Sequence, residues 1–303
     1  MTTAVFRYTD PATITDSDEP FIKPWSKVDI EYSSAGRTER TLPVTNIRTA
    51  PSSQEFGVDV SGFAVHHAPA REKAFTDDAA VRTGYYAEVE ALLRAKLPGV
   101  KKVAIFDHTI RRRSATSPRQ PVQLVHVDQT PRAAAARVRR HLPADEAEVL
   151  LQGRYQLINV WRPIGHAATD FPLAVIDWRT TKPADLVKVD LLYPVRPPHD
   201  DGDDRGKETL ADPATAADTT GYEVKGETYG IVPSEAHRFY YVKDMTPDEV
   251  MFIKCFDSRS EGQPGGVEGV AALTPHTAFE DPQTPEGTPG RQSIEVRCLV
   301  FYE

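Results

Sequence analysis

"LVHVDQTP", Leu124 to Pro131, sets a histidine and an aspartate two residues apart at the end of an apolar run, just before a helix start. Residues i and i+2 of a β-strand project to the same face, so His126 and Asp128 can converge on one atom. Two readings stand: a polar pair closing a strand at the surface, or two arms of a metal site. Val122 and Leu124 share that face, which predicts that the pair sits at the mouth of an apolar interior. Thr130 then supplies a hydroxyl N-cap, and Pro131 falls in the first turn, where no amide donor is needed. The alanine-rich "RAAAARVRRHL" continues that helix, and "ADEAEVLLQG" makes a second, closed by Gly153.

Working outward, Val81, Tyr85, Val89, Leu92, Leu93 and Leu97 recur at steps of three and four, predicting a helix over about Asp78–Leu97 that Pro98-Gly99 stops. "KKVAIFDHTIRRR" and "PVQLVHVDQ" read as extended segments joined as a hairpin across "SATSPRQ". Short strand-like runs fill most of the remainder: "KVDIEYSS", "RTLPVTNI", "FGVDVSGFAVHHAP", "RYQLINVWRPI", "FPLAVIDWR", "LVKVDLLYP", "HRFYYVKDM", "EVMFIKCFDS", "GVAALTPHTAF" and "RQSIEVRCLVFYE". Many short strands with helices gathered in two places predict a mainly β chain with flanking helices, a sandwich or jelly-roll barrel, and not alternating βαβ units. "GQPGGVEG" lacks the Lys-Ser/Thr of a phosphate-binding loop.

The net charge of -8 argues against nucleic-acid binding, which calls for a basic face, and Arg111-Arg112-Arg113 is too short to reverse it. That run reads as a solvated strand end. Cys255 and Cys298 lie in apolar runs, the place of small buried hydrophobes, which predicts reduced thiols and a cytoplasmic protein. No leader and no membrane-length apolar run is expected. About 195–220 is rich in Pro, Asp, Gly, Ala and Thr and reads as a flexible acidic insertion in one domain spanning 1–303.

The metal reading needs a third arm. Two histidines and a carboxylate with open positions are the pattern of non-haem Fe(II) oxygenases. His276, in "VAALTPHTAF", is followed fifteen residues later by Arg291, which shares a strand face with Ser293. A guanidinium fork and a hydroxyl on one face can grip the same carboxylate. His237 opens a strand without such a follower and is the runner-up; the other histidines read as structural.

"LVHVDQTP", "YQLINVWRPI", "DMTPDEVMFIKCFDS", "TPHTAFEDP" and "RQSIEVR", in this order, resemble the Fe(II)/2-oxoglutarate hydroxylase/desaturase family of secondary metabolism. That family includes gibberellin desaturases, cephem 7α-methoxylation proteins and AsaB-like enzymes. The resemblance covers residues 20 to 303 and implies a double-stranded β-helix. It implies Fe(II) on His126, Asp128 and His276, 2-oxoglutarate on Arg291 and Ser293, and dioxygen as oxidant. The substrate would be a small metabolite or amino-acid-like molecule, hydroxylated, desaturated or cyclised as succinate and carbon dioxide are released. Asn159, Trp161 and Arg162 of "NVWRP", with Tyr155 on the face of Asn159 and Trp161, are candidates for substrate or co-substrate contact. Alternatively, Trp161 is core and Arg162 a structural ion-pair partner. A second functional reading is an accessory protein of the same fold that assists a partner biosynthetic enzyme.

Overall fold

Alternation builds the long strands: in the first, Thr2–Thr9, Ala4, Phe6 and Tyr8 are buried while Val5 faces outward. The computed structural model describes residues 2–15, 17–30, 32–51, 55–114, 120–196 and 209–302. In chain order the strands begin with β1 (Thr2–Thr9), β2 (Trp25–Lys27), β3 (Tyr32–Ser33), β4 (Arg37–Asn46) and β5 (Phe63–His67). They continue with β6 (Lys102–Arg112), β7 (His126–Val127), β8 (Tyr155–Pro163), β9 (Leu173–Ile176) and β10 (Leu186–Pro194). The last are β11 (Tyr222–Ile231), β12 (Phe239–Tyr241), β13 (Glu249–Asp257), β14 (His276–Ala278) and β15 (Gln292–Phe301).

Ten of these strands form a curled, open half-barrel sheet, ordered β1-β4-β12-β9-β14-β7-β11-β10-β2-β3. The other five form a second sheet, β5-β13-β8-β15-β6. Their inner faces enclose a core that includes Phe6, Val127, Leu157, Ile176, Phe239, Phe279 and Leu299. The outer face of the smaller sheet carries Ile158, Val160, Phe252, Ile294 and Val296, and is covered by Val89 and Leu93 of a helix, Tyr86–Lys96. β8 is buried along its whole length because it is central in its sheet and covered on both faces. The architecture is mixed α+β with a jelly-roll-like core, as expected.

Four details depart from the sequence reading or add to it. The expected hairpin does not form: β6 pairs with β15 in the smaller sheet, while β7 lies between β11 and β14 in the larger one. β7 gains partners on both edges there, which a terminal hairpin with β6 would not give it. The helix expected over Asp78–Leu97 is interrupted by a π-helical turn, Val81–Tyr85, between Asp78–Ala80 and Tyr86–Lys96. β1 has no counterpart among the strand-like runs read from the sequence. The two thiols are free and buried, Cys255 in the core between the sheets and Cys298 in the core beneath the helix.

Helices Pro131–His141 and Ala144–Leu150 pack Ala134, Val138 and Ala147 against the first core. Much of the acidic insertion, 197–208, lies outside the described residues; beyond it, Thr209 bridges to Ile30 and Ala216 is buried. Among the described residues, no helix is long and apolar enough to cross a membrane.

Candidate metal centre

Strand register brings together what the chain holds far apart. In the pairing of β7 with β14, His126 stands directly opposite His276, and their ring centroids are 4.5 Å apart. Each ring is oriented by its own backbone: His126 Nδ1 lies 2.8 Å from the Leu124 carbonyl oxygen and His276 Nδ1 lies 3.0 Å from that of Thr274. Only an N–H can bond a carbonyl, so Nδ1 carries the proton and Nε2 keeps a lone pair for a metal. Asp128, just past β7, puts Oδ1 3.4 Å from His126 Nε2. One ligand atom from each of the three side chains lies within 4.8 Å of the others, the one such cluster of three among the described residues.

The second carboxylate oxygen of Asp128 is already engaged. Asn159 Nδ2 donates to Oδ2 at 2.7 Å and Arg297 Nε donates to it at 3.1 Å, which leaves Oδ1 turned toward the histidines. Arg297 also donates to Glu295 at 2.6 Å, Thr109 at 2.9 Å and Asp107 at 3.2 Å. Neither Arg297 nor Glu295 was a candidate from sequence. The signal was present in "RQSIEVR": Ser293, Glu295 and Arg297 occupy every second position of a largely buried strand, and Arg291 continues the series just before it.

The charges suit a metal site. Burial opposes ionisation of Asp128, but the Arg297 charge and the His126 hydrogen bond outweigh it and hold the carboxyl well below its usual range. Burial also disfavours protonated His126, yet the bond to Asp128 and its charge overcome this and raise its pKa. Burial, with the charge of His126, pushes His276 down to about 4. Below the raised His126 pKa, where its Nε2 is also protonated, a divalent ion must therefore displace that second proton. Its affinity is expected to fall about tenfold per pH unit below the raised His126 pKa and to level off above it, as read by titration against a competing chelator. His276 adds no proton competition until the pH approaches about 4.

A small niche of about 50 Å³ opens beside the triad, lined by all three residues and by Trp161, Arg291, Ser293 and Glu295. Arg291 is buried; its Nη1 donates to the Phe171 carbonyl at 2.6 Å, its guanidinium lies 5.5 Å from the Trp161 ring centroid, and its Nε has no partner among the described residues. Burial, with the Arg111 charge, lowers its pKa to about 9, so it is still a cation at neutral pH. A larger cavity of about 670 Å³ shares His126, Asp128 and Arg297 with the niche, and Val122 and Leu124 line it as the sequence predicts.

Arg162 and Tyr155 are not brought to this place. Arg162 lies on the opposite face of β8, where it bonds the Tyr85 hydroxyl and the carbonyls of Ala68 and Pro247. Tyr155 packs against Phe256 and Phe301 in the core and reaches neither cavity. His237 is held instead by the Tyr8 hydroxyl at 3.0 Å and by Asp185 at 3.2 Å.

Gly62 supports the triad from behind. Thr274, whose carbonyl orients His276, donates through Oγ1 to the Gly62 carbonyl at 2.6 Å. Gly62 has φ +91°, and a Cβ there would sit 2.4 Å from Thr274 Oγ1 and 2.9 Å from the Leu273 carbonyl oxygen. Gly62→Ala is expected to cost about 1–3 kcal/mol in urea unfolding and to weaken metal binding by displacing Thr274.

A family model described as an oxidoreductase/YMDC permease-like domain matches residues 6–301. The hydroxylase/desaturase poxK of Penicillium oxalicum is 34% identical over 237 residues, which is 74% of this chain and, at 66%, just under two thirds of that relative. The hydroxylase/desaturase efuI of Hormonema carpetanum is 28% identical over 294 residues, 91% of this chain and 90% of the relative. The Fe(II)/2-oxoglutarate-dependent dioxygenase nvfI of Aspergillus novofumigatus is 33% identical over 229 residues, 74% of this chain and 69% of that protein. A solved structure of the iron and alpha-ketoglutarate-dependent endoperoxidase NvfI superposes with a TM-score of 0.75 at 26% identity, covering 99% of this chain and 98% of the other. The His/Asp/His cluster matches the Fe(II), 2-oxoglutarate and dioxygen system of these enzymes. The chain belongs to the Fe(II)/2-oxoglutarate-dependent hydroxylase/desaturase family of oxygenases.

Proposed function

We propose that His126, Asp128 and His276 hold Fe(II), that Arg291 and Ser293 hold the far carboxylate of 2-oxoglutarate in the niche, and that a small metabolite is oxidised in the larger cavity. One observation carries the reading: His126 and Asp128 form part of the wall of both spaces, with His276 on the niche side, so co-substrate and substrate would meet across the triad. Bound there, iron with 2-oxoglutarate and dioxygen supplies oxidation of a C–H bond, releasing succinate and carbon dioxide. The protein's share is positional. Arg297 and Asn159 keep one oxygen of Asp128 occupied so that the other faces the metal locus. Arg291 presents a buried positive charge with one unpartnered N–H, and the Trp161 ring backs it. The relatives' names span hydroxylase/desaturase and endoperoxidase, and hydroxylation, desaturation and cyclisation all fit this arrangement. The two free, buried thiols and the net charge of -8 support a cytoplasmic small-molecule enzyme that does not bind nucleic acid.

Arg291→Leu tests the niche. Losing a charge-assisted pair is expected to raise the KM for 2-oxoglutarate roughly ten- to a hundredfold while Fe(II) affinity changes little. Succinate release against 2-oxoglutarate concentration, with metal affinity measured alongside, reads both. Equal loss of the two would show that Arg291 supports the fold and not the co-substrate.

A further inference from the structure

The wall of the larger cavity is unlike the chain as a whole: arginines outnumber aspartates on it, although the net charge is -8. One of them stands in a built setting. Along β6, Arg297 pairs with Asp107 and Cys298 with Ile105, so Phe106 is an extra, unpaired residue. A bulge of this kind resets the side-chain alternation, and Phe106 and Asp107 both reach the cavity. The Phe106 ring stacks on His141, with centroids 5.0 Å apart and planes at 19°, and the Arg137 guanidinium carbon lies 5.5 Å from the same ring's centroid.

Arg137 sits on the helix Pro131–His141 with two other arginines near its end. Arg139 pairs with Glu148 at 2.6 Å, and Arg140 donates to the Lys225 carbonyl at 3.2 Å. Arg137, half-buried and facing the cavity, has no hydrogen bond or ion pair among the described residues beyond its contact with the Phe106 ring. Its aromatic support orients the guanidinium while leaving its N–H groups for a ligand. His141 beside it is uncharged at neutral pH, because burial and the charges of Arg137 and Arg140 push its pKa down to about 4.

We propose that Arg137 is a specificity residue for a substrate bearing a carboxylate, whose apolar body lies along Phe106, Val122 and Leu124 toward His126 and Asp128. A planar fork fits a planar monoanion, whereas its neighbours on the helix add little for a phosphate dianion: Arg140 is turned to the Lys225 carbonyl and His141 is neutral. This deepens the proposed function and rests on it for the direction in which the substrate points. The carboxylate clasp itself is a property of the cavity and is measured without turnover.

The probes are naphthylacetate, naphthylacetamide and naphthyl phosphate, titrated by calorimetry into the full chain loaded with Fe(II) and 2-oxoglutarate under anaerobic conditions, and into the metal-free protein. Naphthylacetate is expected to bind roughly ten- to a hundredfold tighter than its uncharged amide. Arg137→Leu is expected to remove most of that difference without altering Fe(II) or 2-oxoglutarate binding, and Arg137→Lys to restore part of it. Equal binding of acid and amide, no binding of either, or discrimination that survives in Arg137→Leu overturns the proposal. Tighter binding of the phosphate overturns the carboxylate assignment. If the acid discriminates through Arg137 but iron and 2-oxoglutarate fail to bind, the clasp stands and the oxygenase reading falls.

Discussion

His276→Ala is expected to abolish Fe(II) binding and reduce 2-oxoglutarate turnover to background, whereas His237→Ala keeps both. The two histidines differ in what faces them. His276 stands opposite His126 with Nδ1 tied to the Thr274 carbonyl, so its free nitrogen adds to the site, and among the described residues no other group completes the cluster. His237 spends both nitrogens on Tyr8 and Asp185. Its removal takes the partner of the buried Tyr8 hydroxyl and one of the bonds to Asp185, which still accepts the Lys182 N–H, and is expected to cost about 1–3 kcal/mol of stability without touching the metal. Metal content after dialysis against Fe(II), together with succinate release, separates the variants. Loss of iron from His237→Ala alone, with the fold intact, would contradict this assignment.

Arg297→Leu is expected to be the most destabilising change in the site. Arg297 faces Asp107, Asp128 and Glu295, with its own side chain 16% exposed. Leucine would leave these carboxylates without their shared cation in a poorly hydrated place. Breaking such a buried arrangement typically costs about 3–5 kcal/mol. Burial already raises the Glu295 carboxyl despite the Arg297 charge, so loss of that charge is expected to drive it further toward the neutral form. Arg297→Lys restores a positive charge but not the fork that reaches Asp128, Asp107 and Glu295 together, and is expected to recover stability more fully than iron affinity. Urea unfolding and Fe(II) titration on the two variants give both numbers. If the lysine variant matched the parent in iron affinity, pinning of Asp128 by the guanidinium would play no part in metal binding.

The fold class was legible from strand patterning because period-two alternation is local. The helix start at Thr130-Pro131 was legible too, as the Thr130 hydroxyl accepts from the Ala133 N–H. The H-x-D step could be read for the same reason: two residues of one extended segment share a face whatever sheet they enter. Pairing was not legible. Whether "LVHVDQ" joins β6 or slots between β11 and β14 depends on contacts more than a hundred residues away, with β11 and β14. Arg162 and Tyr155 show the limit of face assignment. The alternation correctly set Arg162 apart from Asn159 and Trp161, but nothing local revealed that its face meets the helix side and the Ala68 and Pro247 carbonyls. Tyr155 does share the inner face, but it lies where β8 runs into the core between the sheets, beside Phe301. The Phe106 bulge lies in a stretch whose composition is that of an ordinary strand, so its resetting of alternation had no sequence signature.

The most direct test of the account is an anaerobic titration of the metal-free protein with Fe(II) and then 2-oxoglutarate, following the weak visible charge-transfer band of the iron chelate. The band is expected in the parent protein, at higher 2-oxoglutarate concentrations in Arg291→Leu, and not at all in His276→Ala. A folded parent protein that binds no iron, or binds iron yet develops no band with 2-oxoglutarate, would return His126 and Asp128 to a polar pair at the end of a strand.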